Sequence, residues 1–351
     1  MPYPSTAAAA ALPVPYGSLR IGGVYTLPNV LRHFGVEPDE VIAGVGLDPK
    51  LFDDSDSAVE MAALGRLLCA CVERTGCQHF GLMVGQQGGP LSLGLIGLLA
   101  QHSPNLGRAL RNLALYLHIH DRGAVITYDQ RGEAFAIGYE ICARGVPCDE
   151  QIIDAAVAIG CNLMRAWCTA DCAPSEVLLA RRQPTDTRPY QAFFRCPVRF
   201  DAEQTALVFP SHWLQHRIAA FDPELKAVLE AQVSELSGRD RDFAADVRRT
   251  LRVLLVTGVC TADNTAALLA MHRRTLGRRL EEQGTSFAAL LAEVRYEAAL
   301  QLLDNTEMSL SDIALALGYS DVTAFNRAFR RWSGTTPARL RAQGEPPTAP
   351  G

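Results

Sequence analysis

The sequence predicts two domains of different class: an α+β N-terminal domain and an all-α C-terminal domain with two helix-turn-helix motifs. Three observations predict it. A helical unit is written twice near the C-terminus, once around residues 271–280 and once around residues 319–329, and a shift of 49 residues lays Leu276 on Phe325, Arg278 on Arg327 and Leu280 on Phe329. The hydrophobic period changes from helical to alternating at Gly123. The charge balance changes sign near residue 244, from −7 over residues 1–244 (20 Lys+Arg, 27 Asp+Glu) to +2 over residues 245–351 (13 Arg, 11 Asp+Glu).

A length of 351 residues exceeds one ordinary core, so two domains are expected. A hydrophobic content of 48% with 20% charged residues fits a globular protein rather than a disordered or fibrous one. Residues 1–20 read as a disordered tail: residues 1–17 are rich in Ala, Pro and Ser and lack the basic start and compact apolar core of a signal peptide. Residues 344–351 read as a second loose end. The longest apolar stretch, residues 91–100, is broken by Ser92, Gly94 and Gly97 and is too short to span a bilayer. A cytoplasmic protein without membrane contact is therefore expected.

Val24, Leu27, Val30, Leu31 and Phe34 recur at helical spacing and stop at Gly35. Met61, Leu64, Leu67, Leu68 and Cys71 repeat the pattern before Gly76. Ser103-Pro104-Asn105 opens a third helix along Leu106, Leu110, Leu113 and Leu117. Residues 124–128 and 134–139 then flank the polar segment 129–133 as a β-hairpin. Residues 147–169 read as a long amphipathic helix, and residues 175–180 and 206–209 as further strands. Asp222-Pro223 opens a helix along Leu225, Val228, Leu229, Val233 and Leu236, which suits either an interdomain or dimer contact or packing on its own domain. Residues 239–242 follow as a charged connector.

Residues 243–342 read as all helix. Thr261 caps a helix over 262–270, and Met271-His272 make the turn into a helix over 273–282 that closes at Gly284. Ser286 caps a long connecting helix through Asp304. Ser309 and Asp312 form a capping-box variant ahead of a helix over 310–317. Gly318 supplies the turn, Asp321 caps a helix over 322–332, and Gly334 and Pro337 end it. In the first copy Leu276 and Leu280 face inward, which leaves Arg273, Arg274 and Arg278 outward with Arg279 beside them. In the second, Phe325 and Phe329 anchor the helix. Val322, Thr323, Asn326 and Arg327 are then expected outside, with Arg330 and Arg331 suited to a phosphate rim. A helix with polar and Arg side chains on one face fits a major groove about 12 Å wide, where Arg pairs with guanine O6 and N7. The bland alternative is an Arg-rich solvated surface. Two copies with the same anchor-to-Arg spacing weigh against it.

Residues 245–342 resemble the DNA-binding domain of AraC/XylS-type transcriptional regulators. The resemblance is carried by Ile313-Ala314, Leu317-Gly318-Tyr319 and the run from Ala324 to Pro337, and in the first copy by Arg274-Thr275-Leu276, Arg278-Arg279-Leu280 and Gly284-Thr285-Ser286-Phe287. It implies a double-stranded DNA partner, two helices in successive major-groove segments held apart by the connecting helix, contact with RNA polymerase as in an activator, and base-contacting positions at Arg274, Gly277, Arg278, Val322, Thr323, Asn326 and Arg327. Gly277 stands where the family usually carries a polar reader, His272 replaces the usual Ser cap, and Ala270 replaces the usual turn Gly. Leu95-Ile96-Gly97, the run 103–110 and the run 193–200 look like the arabinose-binding-like effector domain of some of these regulators. The resemblance divides the chain into a tail (1–20), an effector and dimerisation domain (21–220), a linker helix and connector (221–244), the DNA-binding domain (245–343) and a tail (344–351), and it implies a small-molecule effector and a possible homodimer.

His118, His120 and Arg122 form the densest polar cluster of the first domain and are the candidate effector-binding residues. A metal would need a third ligand that no spacing supplies, so a hydrogen-bonded pair at a helix end is the stronger reading, and neither metal nor cofactor is expected. The ten cysteines include no Cys-x-x-Cys pair, and nine fall in the first 200 residues. They read as small buried apolar side chains, with Cys161, Cys168 and Cys172 on one helical face, and a thiol or metal sensor as the sharper alternative. The glycines at 44, 46, 81, 85, 88 and 89 complete no phosphate-loop pattern. No Ser or Cys nucleophile has a local signature, so no enzyme is expected. The rival is an enzyme-like or DNA-repair N-terminal domain tethered to DNA, but Cys196-Pro197 is followed by Arg199-Phe200 without the His-Arg of repair methyl acceptors.

Overall fold

A computed structural model describes residues 14–143, 145–169, 172–239, 243–256, 260–269, 271–305 and 308–343. Residues 1–13 of the first expected tail, the whole of the second (344–351), the connector residues 240–242 and Ala270 lie outside the described residues. The chain divides into two compact units between Arg241 and Asp242.

The first unit runs through β1 (Ser18–Arg20), α1 (Leu27–His33), α2 (Pro38–Gly44), β2 (Ala58–Glu60), α3 (Met61–Thr75), α4 (Phe80–Gln86), α5 (Gly94–Gln101) and α6 (Leu106–His120). It continues through β3 (Ala124–Arg131), β4 (Ala134–Ile141), α7 (Asp149–Trp167), β5 (Glu176–Leu178), α8 (Arg188–Phe194), β6 (Val198–Arg199), β7 (Ala206–Pro210) and α9 (Pro223–Arg239). Five strands form one sheet in the order β3-β4-β7-β5-β6, antiparallel except for β5 beside β6. The β3–β4 hairpin pairs from Ala124 opposite Ile141 to Arg131 opposite Ala134.

Helix α7 is the spine of this unit because it serves two cores. Its Ile152 belongs to the core of α1–α4 with Leu27, Leu64, Leu68 and Phe80. Its Ala158, Cys161, Met164 and Trp167 belong to the core over the sheet with Leu113, Phe135, Phe194 and Phe209. Helix α4 crosses α7 at backbone contact: a Cβ at Gly81 or Gly85 would strike the carbonyl of Gln151 or Ala155. Gln151 fixes the crossing, accepting from the Gly81 amide at 2.8 Å and donating to the Gln78 carbonyl at 2.9 Å.

The structure corrects three expectations. Residues 14–20 are not a loose tail. Strand β1 pairs with β2, Leu19 opposite Val59, and Val14 is buried. Arg122 holds this segment, its Nη1 donating to the Val14 carbonyl at 3.2 Å and its own carbonyl accepting from the Gly17 amide at 3.2 Å. Nor are all cysteines isolated thiols: Cys69 and Cys148 form a disulfide, Cα–Cα 5.7 Å. The fold brings α3 against the segment before α7, a proximity that a sequence separation of 79 residues hides. Lastly, Cys161, Cys168 and Cys172 do not share one helical face. Helix α7 ends at Trp167, where Cys168 leaves helical geometry with ψ −104, and Cys172 enters the core from the loop beyond.

Helix α9 packs on its own unit through Leu229 and Val233, with Leu225 and Val228 left exposed. No single described helix is long and apolar enough to cross a membrane.

The second unit consists of α10 (Phe243–Val256), α11 (Ala262–Leu268), α12 (Arg273–Glu282), α13 (Phe287–Asn305), α14 (Leu310–Ala316), α15 (Val322–Ser333) and α16 (Pro337–Gln343). Helix α13 packs against α10, α12 and α16. Leu290, Val294, Ala299 and Leu303 form its buried stripe.

Candidate nucleic-acid interface

Two helix pairs, α11–α12 and α14–α15, have the same construction. Thr261 caps α11 by accepting from the Asn264 amide at 3.1 Å. His272 caps α12, its Nδ1 accepting from the Arg274 amide at 3.2 Å. An imidazole thus takes the place of a hydroxyl at this cap. Leu276 and Leu280 are fully buried and fix the rotation of α12. Arg273, Arg274, Arg278 and Arg279 are consequently exposed.

These four guanidinium groups are held differently. Arg273 pairs with Asp263 at 3.2 Å and Arg278 with Glu282 at 3.7 Å, both in open solvent. Such exposed pairs contribute about 0–1 kcal/mol and exchange readily for a phosphate or a base. Arg279 lies 5.4 Å from the Phe243 ring centroid. Arg274 forms no ion pair among the described residues.

In the second pair, Ser309 accepts from the Asp312 amide at 3.2 Å, and its hydroxyl donates to the Asp312 carboxylate at 2.6 Å. Gly318 takes the left-handed turn at φ +73. Asp321 caps α15, accepting from the Ala324 amide at 2.7 Å. That backbone hydrogen bond and one from the Ser320 hydroxyl lower the Asp321 pKa, with Arg327 adding a smaller pull. Phe325 and Phe329 are fully buried. Thr323, Arg327, Arg330 and Arg331 are exposed, and the three Arg form no ion pair among the described residues.

Val322 and Asn326 depart from the expectation of a fully outward position. Both are half-buried, and the Asn326 Oδ1 is enclosed without a hydrogen-bond partner. Buried amide oxygens are normally paired, so this one leaves α15 with an unmet acceptor.

The sequence reading missed the device that fastens α15 to α13. Arg295 places its guanidinium 4.7 Å from the Tyr319 ring centroid and donates Nη2 to the Gly318 carbonyl at 3.2 Å. Tyr296 packs against Phe329 at 5.6 Å and Trp332 at 5.8 Å. These aromatic pairs were scattered over 37 positions and carried no local signal.

In the first unit the structure separates the predicted effector residues. His118 and His120 lie in the last turn of α6, and His118 Nδ1 is 3.1 Å from the Leu115 carbonyl. His120 is buried, and burial together with the nearby Arg20 guanidinium pushes its pKa down to about 3. Arg122 is committed to the N-terminal segment and stacks 3.6 Å from the Tyr16 ring centroid. Among the described residues no group of His, Cys, Asp and Glu is arranged to hold a metal. A cleft of about 540 Å³ lies elsewhere, lined by the charged residues Asp48, Lys50, Glu60 and Arg66 and by apolar Leu47, Leu51, Val59 and Ala63. Its polar residues come from separate elements, which is why no motif announced them.

Comparisons with known proteins match the two parts of the chain to different families of domain. A family model described as the arabinose-binding domain of AraC transcription regulators, N-terminal, matches residues 35–218. A helix-turn-helix domain model matches residues 265–343. The HTH-type transcriptional regulator VirS of Mycobacterium tuberculosis (strain ATCC 25618 / H37Rv) is 27% identical over 332 residues, covering 93% of this chain and 98% of that protein. The Ornithine utilization regulator of Pseudomonas aeruginosa is 25% identical over 349 residues, covering 97% of this chain and 99% of that protein. A crystal structure of the transcriptional regulator CdpR from Pseudomonas aeruginosa aligns with 90% of this chain and 96% of its own at 20% identity and a TM-score of 0.46, a level that leaves the fold to be argued from this chain itself.

Proposed function

Since this chain belongs to the AraC-type transcriptional regulators, with an arabinose-binding-like N-terminal domain and a C-terminal helix-turn-helix domain, we propose that α12 and α15 are its two DNA-reading helices. Arg274 and Arg278 on α12, and Val322, Thr323, Asn326 and Arg327 on α15, reach base edges in successive major-groove segments. Arg273, Arg279, Arg330 and Arg331 grip the flanking phosphates. The observation that carries this reading is the shared anchor spacing: buried Leu276 and Leu280 match buried Phe325 and Phe329, with exposed Arg278 and Arg327 between them. Gly277 offers no side chain to the groove, so α12 reads through its Arg alone.

The first unit senses a small molecule, and effector binding shifts the population between DNA-competent and incompetent arrangements. The cleft at Lys50, Glu60 and Arg66 suits this role better than His118, His120 and Arg122. Its two cations (Lys50, Arg66) and two carboxylates (Asp48, Glu60) form no ion pair among the described residues, whereas His120 is buried and Arg122 is already engaged. A carboxylic or amino acid of modest size has the matching chemistry. The chain acts in the cytoplasm, contacts RNA polymerase at its promoter, pairs with a second copy, and performs no catalysis.

Selection of duplexes from a random pool, followed by footprinting, tests the proposal. The expected result is an enriched sequence with two protected major-groove segments about one helical turn apart on one face. A chain that binds all duplexes alike would contradict it.

A further inference from the structure

The disulfide between Cys69 on α3 and Cys148 at the head of α7 sits in an uncommon setting. Cys148 adopts φ 46 and ψ 39, the left-handed region that any side chain with a Cβ disfavours. It is the N-cap of the 19-residue helix α7, yet its side chain makes no hydrogen bond to the first helical amides. The start of α7 is therefore held by a covalent bond in place of a cap. Both cysteines are half-buried, neither sealed in the core.

Most of the other thiols are inert by comparison. Burial pushes Cys71 up to about 12, and Cys161, Cys196 and Cys260 up to about 11, which keeps them protonated and poorly nucleophilic. Cys168 is the exception, its thiolate favoured by a hydrogen bond from Cys172. The fold around the bridge has other supports. Gln151 still ties α7 to α4, and Ile152 and Ala155 remain in the core, so the unit stays folded when the bridge opens.

We propose that Cys69–Cys148 is a reversible redox site, opened by a glutathione-type thiol or a small dithiol and closed by the corresponding disulfide, and that opening it frees the segment 145–149 leading into α7 while Gln151 and Ile152 hold the helix itself. The thiolate of the reductant attacks one bridge sulfur, the S–S bond breaks, and the other cysteine leaves as thiolate. A second thiol resolves the mixed disulfide. The reductant departs as its own disulfide, its two electrons reside on the protein sulfurs, and its two protons end on Cys69 and Cys148. Opening also lets Cys148 leave its left-handed conformation, which favours exchange over a permanent bond.

The test equilibrates the full chain in mixtures of reduced and oxidised glutathione, quenches with acid, alkylates, and maps Cys69, Cys148 and Cys168 by peptide mass. Cys69 and Cys148 should open and close together within the glutathione range while Cys71 and Cys161 stay reduced. Hydrogen exchange over residues 145–151 should quicken about tenfold in the reduced wild-type chain while residues 152–160 stay protected, and Cys69→Ser should show the fast rate in either buffer. A bridge that survives dithiothreitol in the folded protein, cysteines that stay free in oxidised glutathione, or an exchange rate unmoved by reduction would each overturn the proposal.

Discussion

The Arg295 guanidinium lies 4.7 Å from the centroid of the Tyr319 ring, joining the connecting helix α13 to the turn before α15. The same side chain donates to the Gly318 carbonyl at 3.2 Å. One residue thus braces the turn from which α15 begins. Replacing it removes a cation–π contact and a charge-assisted hydrogen bond, together about 1–2 kcal/mol. Arg295→Ala should lower the urea midpoint of the C-terminal unit and weaken specific and random duplexes alike, because it disturbs placement and not base contact. A melting curve with the wild-type midpoint would contradict this role.

Two glycines of this unit should respond in opposite directions. Gly318 has φ +73, and a Cβ there would meet Arg295 Nη2 at 3.1 Å. Gly277 sits within α12 with nothing within 4 Å of such a Cβ. Gly318→Ala should destabilise by about 1–2 kcal/mol, whereas Gly277→Ala should stabilise by up to about 1 kcal/mol. Denaturant unfolding followed by exchange of peptides from the C-terminal unit reads both, and a shared sign would show that backbone conformation is not the deciding factor.

His120 gives the N-terminal unit an acid sensitivity. Its folded pKa, about 3, lies below the ordinary 6.5, so the unfolded chain takes up the proton first. The stability that neutral His120 contributes is complete above pH 6.5 and is lost as the pH falls towards 3, roughly 2 kcal/mol of it by pH 5. Buried Asp154, raised by desolvation to about 6 against the pull of Arg181, acts oppositely: its contribution is present below about 3.8 and lost as the pH rises through 6. The comparison is therefore between curves. Thermal melts of wild type and His120→Gln between pH 5 and pH 7.5 should diverge on the pH axis, with the wild type losing more on acidification. Parallel curves would rule out His120 as the source.

The cleft predicts a clean separation of two candidate effector sites. A thermal-shift screen with carboxylic and amino acids should find a stabilising ligand whose effect Arg66→Ala removes and His118→Ala leaves intact. The reverse pattern would return the effector to the end of α6.

Much of this was legible before the fold was known, and the reason lies in how each signal is stored. The caps of α12, α13, α14 and α15 are single residues (His272, Ser286, Ser309 and Asp321) placed next to the helices they start. The inward Leu and Phe pairs follow the helical period. Strands β1 and β2 hold three residues each and find one another across nearly 40 positions, too short for a period to register. Strand β6 has two residues and exists because β5 lies beside it. Helix α8 begins with Arg188-Pro189 and is brief enough to pass for a loop. The Cys69–Cys148 bond, the Arg295–Tyr319 stack and the Lys50–Glu60–Arg66 cleft are all products of distant segments meeting. The half-burial of Val322 and Asn326 shows a finer limit, since a helical wheel gives direction but not the height of neighbouring elements.

The central claim is that base reading and phosphate gripping are divided between different Arg of α12 and α15. Duplex binding by wild type, Arg278→Ala, Arg327→Ala and Arg330→Ala, measured on the selected site and on random sequence over a salt series, tests it most directly. Arg278→Ala and Arg327→Ala should each lose about 1–3 kcal/mol on the selected site with little loss on random DNA. Arg330→Ala should weaken both equally and flatten the salt dependence by about one counterion. Equal losses on both duplexes for Arg278→Ala and Arg327→Ala would contradict the account.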